Sequence, residues 1–208
     1  MKFFLLFLGV FIGLSSVAQI EEITIYGRDK TDDAIISSFY HERNFGEMDY
    51  HNLYSWTLGG AKTVNRLLLK FDLNGVPKNA EIVEANLLLY YHPTLLYGKN
   101  EGFNSDIDLY PILSDWEENS VTWSNQPEVG TAVIGSHSRW NPTQENDSVN
   151  ILNYCTMVQR KAIPNFGIQL QYANEDPYKK TLFCSSENKF RHTHPRVVIR
   201  FKRNNVLN

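Results

Sequence analysis

The sequence predicts an all-β protein, an antiparallel β-sandwich with one short helix. Short runs of alternating apolar and polar residues recur along the chain, and turn residues separate them. Only one segment shows helical spacing instead. Roughly 190 residues follow the N-terminal leader, a length that suits a single all-β domain, and no linker rich in Pro, Ser or Gly divides them. We therefore expect one sandwich domain over residues 19–208.

The leader is a predicted signal peptide over residues 1–18. A charged start at Met1-Lys2 precedes the apolar run 3–14, and small residues follow at positions 15–18. The apolar run is too short to anchor the chain across a bilayer. No cysteine stands at the cleavage point, so a lipid anchor is not expected. We expect a secreted protein, periplasmic or extracellular, without a membrane span.

Seven runs have the period-two pattern and the usual length of strands. They are residues 66–73, 84–91, 106–112, 131–136, 167–172, 181–185 and 196–202. In the first run, Leu67 and Leu69 point to one face because successive side chains alternate across a strand. Arg66, Leu68 and Lys70 then point to the other face. The apolar pair predicts the core side of this strand.

The helical segment follows Asn150. Ile151, Tyr154, Cys155 and Val158 recur at the spacing of one helix face. Asn150 is a residue type that caps helix N-termini, since its side chain accepts a backbone N–H bond. The pattern predicts one short helix that starts here.

The two cysteines, Cys155 and Cys184, leave two alternatives open. In an oxidising compartment a pair of cysteines can form a disulfide. Their apolar flanks also indicate buried positions, and free Cys is among the most buried residue types. The sequence supports a bridge and two separate core thiols equally.

Five blocks of the sequence, in this order, resemble the DNRLRE domains of carbohydrate-binding module family 96. They are "RLLLKFDLNGVP", "AEIVEANLLLYY", "LSDWEENSVTWSNQP", "FGIQL" and "CSSENKFRHTHPRVVIRF". The similarity runs from about Asp33 to Phe201, and the block with W-x-E and T-W-x-N-x-P is its most specific part. The resemblance implies a jelly-roll β-sandwich and noncatalytic attachment to an acidic polysaccharide, since members of the group bind alginate. Such domains usually accompany enzymes or other modules, which implies association with polysaccharide-degrading enzymes.

The stretch "DWEENSVTWSNQP" predicts a structural corner. A buried Trp can donate its indole N–H to a loop carbonyl, and a nearby Glu can accept backbone N–H groups that a corner leaves unpaired. We assign this structural role to Trp116, Glu118, Trp123 and Pro127. The alternative is a platform on which sugar rings stack.

Binding of uronate carboxylates calls for Arg and Lys, because Arg gives paired hydrogen bonds and Lys a point charge. Arg66 and Lys70 share a strand face, and Tyr90 is expected on the corresponding face of the next strand. The candidate ligand-binding residues are Lys62, Arg66, Lys70, Tyr90, Arg139 and Trp140. The alternative for Arg66 and Lys70 is that they are ordinary solvated charges.

Other function classes have less support. The formal net charge of −3 argues against a nucleic-acid partner, which would need a concentrated basic surface. Glu117 and Glu118 are adjacent, so in an extended chain they cannot flank one glycosidic bond. The chain has no G-x-S-x-G, H-E-x-x-H or P-loop motif. We expect no catalysis, with a structural or adhesive cell-surface protein and, less favoured, a polysaccharide lyase as alternatives.

Acidic residues in the N-terminal third raise the question of a cation. Calcium takes several oxygen ligands, and carboxylates are frequent at Asp29, Asp32, Asp33 and Asp49. No spacing of the EF-hand type is present. The sequence therefore assigns no metal and no other cofactor.

Overall fold

The computed structural model describes residues 19–92, 106–137 and 145–203. The predicted signal peptide lies outside these residues. No helix among them has both the length and the apolar character that crossing a bilayer requires.

Eleven strands and one α-helix form within the described residues. The strands are β1 (Ile20–Tyr26), β2 (Thr31–Ser37), β3 (Tyr50–Leu58), β4 (Ala61–Phe71), β5 (Ala80–Tyr90), β6 (Ile107–Pro111), β7 (Gly135–His137), β8 (Asn146–Asn150), β9 (Ile168–Tyr172), β10 (Lys179–Cys184) and β11 (Arg196–Arg203). The helix α1 is Leu152–Gln159, and short 3-10 turns occupy Leu73–Gly75 and Arg191–Thr193.

The strands form two sheets. The smaller sheet has the order β1-β11-β5-β8, and the larger has the order β10-β3-β4-β9-β6-β7, with β2 also paired to β4. All strand pairs are antiparallel. The prediction of an antiparallel β-sandwich with one short helix is confirmed. Among the predicted strands, the run 131–136 is wrong in its first part, because pairing begins only at Gly135 and Val133 lies exposed.

The main core lies between the sheets. Leu67 and Leu69 of β4 are fully buried there, as the alternating pattern predicts, and Leu87 of β5 and Ile199 of β11 bury their side chains in the same cluster. Complete burial of such a side chain contributes about 1.5–3 kcal/mol. The two sheets are therefore held together mainly by the apolar faces of their central strands.

The opposite face of β4 is also covered. Leu68 is fully buried in a second, smaller cluster with Ile36, Ile112, Trp116 and Val121. Segment 112–127, which joins β6 to the strands after it, supplies three of these side chains. Leu68 therefore lies in an apolar environment although its neighbours along the strand face are charged.

The helix begins close to its predicted start. Asn150 Oδ1 accepts a hydrogen bond from Leu152 N at 2.9 Å, although the residue in the N-cap position is Ile151, one later than expected. Tyr154 is buried, and its hydroxyl donates to Asn165 Oδ1 at 2.9 Å. A backbone bond from Ile151 N to the Ala85 carbonyl, at 2.9 Å, holds the start of the helix beside β5.

Cys155 and Cys184 are separate, buried free thiols. Of the two alternatives that the sequence left open, the structure has the two core thiols. Burial raises the pKa of Cys155 to about 12. A thiol in this state is protonated at neutral pH and therefore a poor nucleophile.

Candidate functional site

Segment 112–127 packs against the outer face of β2 and β4. We call this segment the clamp and the face that it covers the clamped face. Trp116 is 5% exposed, and its indole Nε1 donates to the carbonyl of Phe166 at 2.7 Å. Glu118 Oε1 accepts a hydrogen bond from Asp33 N at 2.9 Å, so it pairs a backbone donor of β2. Both bonds are of the kinds that the corner hypothesis requires.

Asn44 binds the backbone of the clamp. Its Nδ2 donates to the carbonyls of Glu118 at 2.7 Å and Val121 at 2.8 Å. Gly46 lies so close to the Glu118 carbonyl that a Cβ atom would collide with it. Pro127 is buried where the segment ends. Sequence reasoning missed Asn44, because its partners lie more than seventy positions away.

Arg66 lies on the clamped face and is already paired. Its Nε and Nη2 donate to the two carboxylate oxygens of Glu175 at 2.9 and 3.2 Å. The guanidinium carbon also lies 5.1 Å from the ring centre of Trp123. A bidentate pair with a stacked guanidinium holds the side chain in one place.

Lys70 shares that face, as predicted, and also has partners. Its Nζ lies 2.9 Å from Asp32 and 3.7 Å from Asp115, and 5.7 Å from the ring centre of Trp116. A ligand carboxylate would therefore have to compete with the protein's own acids. Lys62, near the turn between β3 and β4, is exposed.

Tyr90 lies on the face of β5 opposite the core residues, as expected, but not in the same sheet as Arg66. β4 and β5 are consecutive in sequence but belong to different sheets. The ring of Tyr90 instead lies 4.8 Å from the guanidinium carbon of Arg196. Arg139 and Trp140 lie outside the described residues, so their predicted roles have no structural counterpart here.

A groove opens on the other face of the larger sheet. Tyr50, Tyr54 and Trp56 line it from alternate positions of β3, and Tyr40 and Phe45 line it from the preceding loop. The groove has a volume of about 540 Å³. Aromatic residues at every second position of a strand share one face, and this is the signal in the sequence that could have found the site.

β3 buries one face and leaves the other open. His51, Leu53 and Ser55 are fully buried, and Leu53 belongs to the main core. The rings of Tyr54 and Trp56 alternate with these residues and are half-buried, so they lie on the opposite, uncovered face of the strand.

Polar groups in the groove have spare hydrogen-bonding capacity. Among the described residues, the side-chain oxygens of Asn52 and Asn65 are buried without a partner. Such a group costs free energy until a donor reaches it. Lys180 is the one charged residue among those described in the lining. Tyr178 extends the aromatic surface, since its ring lies 5.1 Å from that of Trp56.

Three carboxyl groups meet at the edge of the clamp. Oxygens of Asp33, Glu118 and Glu187 lie within 4.8 Å of one another, close enough to hold a metal ion, and His51 Nε2 lies 3.0 Å from Asp33. Asp33 is the only one of the four aspartates considered from sequence that joins such a group within the described residues. The cluster of three carboxyls at this edge therefore comes from three segments that are distant in sequence.

Protonation relieves the repulsion among these carboxyls. Burial, followed by the nearby Asp33, raises the pKa of Glu187 to about 8. Burial likewise raises the pKa of Glu118 to about 7; the hydrogen bond from Asp33 N opposes this rise, and the negative charge of Asp33 adds to it. Burial also acts to raise the pKa of Asp33, but His51 and the hydrogen bonds to Asp33 outweigh it and lower that pKa. Glu118 and Glu187 therefore hold protons more readily than ordinary glutamates do.

Comparison with protein families identifies the chain. The model of carbohydrate-binding module family 96 matches residues 25–201, a span that includes both sheets, the clamp and the groove. No curated protein sequence matches the chain. Because the family match covers far more than half of the chain, the protein belongs to carbohydrate-binding module family 96.

Proposed function

We propose that this protein is a secreted, noncatalytic module that binds an anionic polysaccharide of the alginate type along the aromatic groove. The observation that carries the location is the row of rings at Tyr50, Tyr54 and Trp56 on the open face of β3. Family membership supports a carbohydrate ligand. The leader at residues 1–18 supports secretion.

The row of rings fits a linear sugar chain. Residues 50 to 56 of one strand span roughly 20 Å, enough for several consecutive sugar units. The apolar face of a sugar ring buries surface on an aromatic ring, and that burial is favourable in water. Sugar hydroxyls that reach the floor of the groove can donate to Asn52 and Asn65, whose oxygens lack donors.

Cations beside the rings favour an acidic chain over a neutral one. Lys180 lies in the groove. Arg43 is exposed at its margin, with its guanidinium carbon 5.0 Å from the ring centre of Phe45. Each supplies charge-assisted hydrogen bonds to carboxylates. Because these contacts are exposed and side chains must be ordered, we expect a dissociation constant on the order of micromolar to millimolar.

The lining supports binding rather than hydrolysis. Among its described residues there is no Asp, Glu or His. Glycoside hydrolysis uses a pair of carboxyl groups on the two sides of the bond. A binding role needs only the rings and hydrogen-bonding groups that the groove has.

The test compares two tryptophans on opposite faces of the larger sheet. Trp56→Ala should weaken alginate binding by about tenfold or more, since it removes a large apolar contact. Trp123→Ala, a matched change on the clamped face, should leave binding within about twofold while it lowers stability. Calorimetry or affinity electrophoresis measures binding, and absorbance of unsaturated chain ends detects cleavage.

Three results would contradict the proposal. If Trp123→Ala abolished binding and Trp56→Ala did not, the stacking platform would lie on the clamped face. If the wild-type protein bound no uronate polymer, the anionic ligand would be wrong. Release of unsaturated oligosaccharides would show a polysaccharide lyase.

A further inference from the structure

A second group of cations lies away from the groove, between β10 and β11. Residues 189–192, with the sequence KFRH, are largely exposed. Within the part of the chain that the structure describes, Lys189, Arg191 and Arg196 form no ion pair with an acid. This distinguishes them from Arg66 and Lys70, which are both paired.

Arg196 is held in place without neutralisation. Its guanidinium carbon lies 4.8 Å from the ring centres of both Tyr26 and Tyr90, and its Nη2 donates to the carbonyl of His192 at 2.6 Å. Arg191 lies over the Tyr26 ring at 5.3 Å. A guanidinium fixed between two rings loses little conformational entropy when an anion binds.

An exposed aromatic ring accompanies these charges. Phe190 is 47% exposed, and Lys189 Nζ lies 4.9 Å from its ring centre. The ring of His192 is 5.9 Å from that of Phe190. Rings and cations side by side form a surface that suits a sugar chain with acidic substituents, as rings provide stacking and cations provide pairing.

Acids near this surface neutralise only part of its charge. Glu187 has a side chain only 7% exposed, and it pairs with Arg28 at 3.0 Å. Asp29 is exposed next to Gly27, where it lies close to Arg191. Asp49 is exposed as well, and its carbonyl accepts a hydrogen bond from Asn188 Nδ2, so three cations face two exposed acids. A local positive surface on a chain of formal net charge −3 concentrates anions at one place.

We propose that Lys189, Arg191 and Arg196, together with Tyr26, Phe190 and Tyr90, form a second anion-binding surface for carboxylate or sulfate groups of a polysaccharide. The proposal rests on the proposed function, which it extends from the groove to this surface. We call these six residues the cationic patch.

The connection between the two surfaces supports one continuous ligand. Cys184, at the end of β10, pairs with Tyr50 of the groove, and Ser185 N donates to the carbonyl of Asp49. The chain reaches Lys189 only five positions after Cys184. Asn188 Nδ2 also donates to the Asp49 carbonyl, so the Tyr50 end of the groove lies beside the segment that carries the cationic patch. A polymer that bound both surfaces would gain selectivity for acidic chains.

The test neutralises two exposed cations of the patch. Lys189→Ala/Arg191→Ala should weaken alginate binding by about 2- to 30-fold, the loss of two exposed ion pairs. It should also flatten the dependence of affinity on salt concentration, because fewer charge contacts remain to be screened. Circular dichroism and the melting temperature check that the variant is folded.

The matched control removes the same two residue types elsewhere. Lys78 and Arg160 are exposed and lie at the Ala80 end of β5, where Gln159 Nε2 donates to the carbonyl of Ala80. Tyr90 is at the other end of that eleven-residue strand, roughly 35 Å away. Lys78→Ala/Arg160→Ala should leave alginate affinity and its salt dependence within about twofold of wild type.

The outcomes separate this inference from the proposed function. Loss of alginate binding in Trp56→Ala with none in the patch variant would overturn the patch and leave the groove. If the wild-type protein bound no alginate, dextran sulfate would be the second probe. Salt-sensitive binding of dextran sulfate that the patch variant loses would support the patch alone. No such binding by the wild-type protein would overturn the patch. Binding to phosphatidylserine vesicles in place of both polymers would overturn a polysaccharide ligand.

Discussion

The two faces of the larger sheet carry similar residues but differ in how far these residues are covered and paired. On one face, Trp116 and Trp123 lie beside Lys70 and Arg66. On the other face, aromatic residues of β3 lie beside Lys180. The first face is covered by segment 112–127 and its cations are paired with acids, whereas the second remains open as a groove. The two faces are therefore similar in residue type and differ in coverage and in ion pairing, which is the basis for proposing the open face as the binding surface.

The largest expected effect tests the clamped face. Trp116→Ala removes a side chain that is 5% exposed and leaves the Phe166 carbonyl without its indole donor. The loss should cost about 3–5 kcal/mol in the free energy of unfolding, a large share of the stability of a single domain. Urea unfolding followed by circular dichroism measures it. Trp56→Ala, at the half-buried groove position, is the control and should cost much less.

A Trp116→Ala variant of unchanged stability that no longer bound polysaccharide would break the comparison. In that case the clamped face would be the binding face. The present contacts point the other way, since the indole of Trp116 and the carboxylate of Glu118 both form hydrogen bonds within the protein.

An intermediate effect concerns the carboxyls at the edge of the clamp. Since the pKa of Glu118 is raised to about 7 and that of Glu187 to about 8, both above the ordinary value of 4.5, the folded state holds protons that the unfolded state releases. Stability from these groups is present below about pH 4.5 and is lost as the pH rises through 7 to 8. The free energy of unfolding should therefore fall as the pH rises from about 4.5 to about 8. Urea titrations at several pH values measure the slope.

Glu187→Gln should flatten that slope, because an amide needs no proton to avoid repulsion by Asp33. Glu128→Gln, which removes an exposed carboxylate elsewhere, should leave the slope unchanged. Equal slopes in wild type and Glu187→Gln would mean that the three carboxyls do not share protons as the geometry indicates.

Local patterns predicted the central parts of this fold. The alternation at Leu67 and Leu69 identifies the core side of β4, and Asn150 marks the start of the helix within one residue. The hydrogen-bond types at Trp116 and Glu118 also followed from their chemistry, since an indole needs an acceptor and a carboxylate needs donors.

Long-range arrangement could not be predicted from the same patterns. Tyr90 was expected on the corresponding face of the strand that follows that of Arg66, yet consecutive strands of a sandwich can belong to different sheets, as β4 and β5 do. The partner of Arg66 is Glu175, which lies 109 positions away. Tertiary packing determines which acid pairs with a cation, and therefore whether that cation is available to a ligand. The local spacing of residues in the sequence does not show this packing.

The smallest expected effect is that of Arg66→Ala/Lys70→Ala on binding. The sequence predicts that these two residues bind the ligand, but each is paired with an acid of the protein, at 2.9 Å in both cases. We therefore expect alginate affinity within about threefold of wild type and a loss of stability of about 0.2–1 kcal/mol per pair. Glu175→Gln sharpens the test, because it frees Arg66 from its bidentate partner while the guanidinium remains. If this variant bound alginate more tightly than wild type, and the double variant bound it at least tenfold more weakly at an unchanged melting temperature, the clamped face would be a ligand surface that Glu175 restrains. Unchanged affinity in both variants would leave the groove as the binding face.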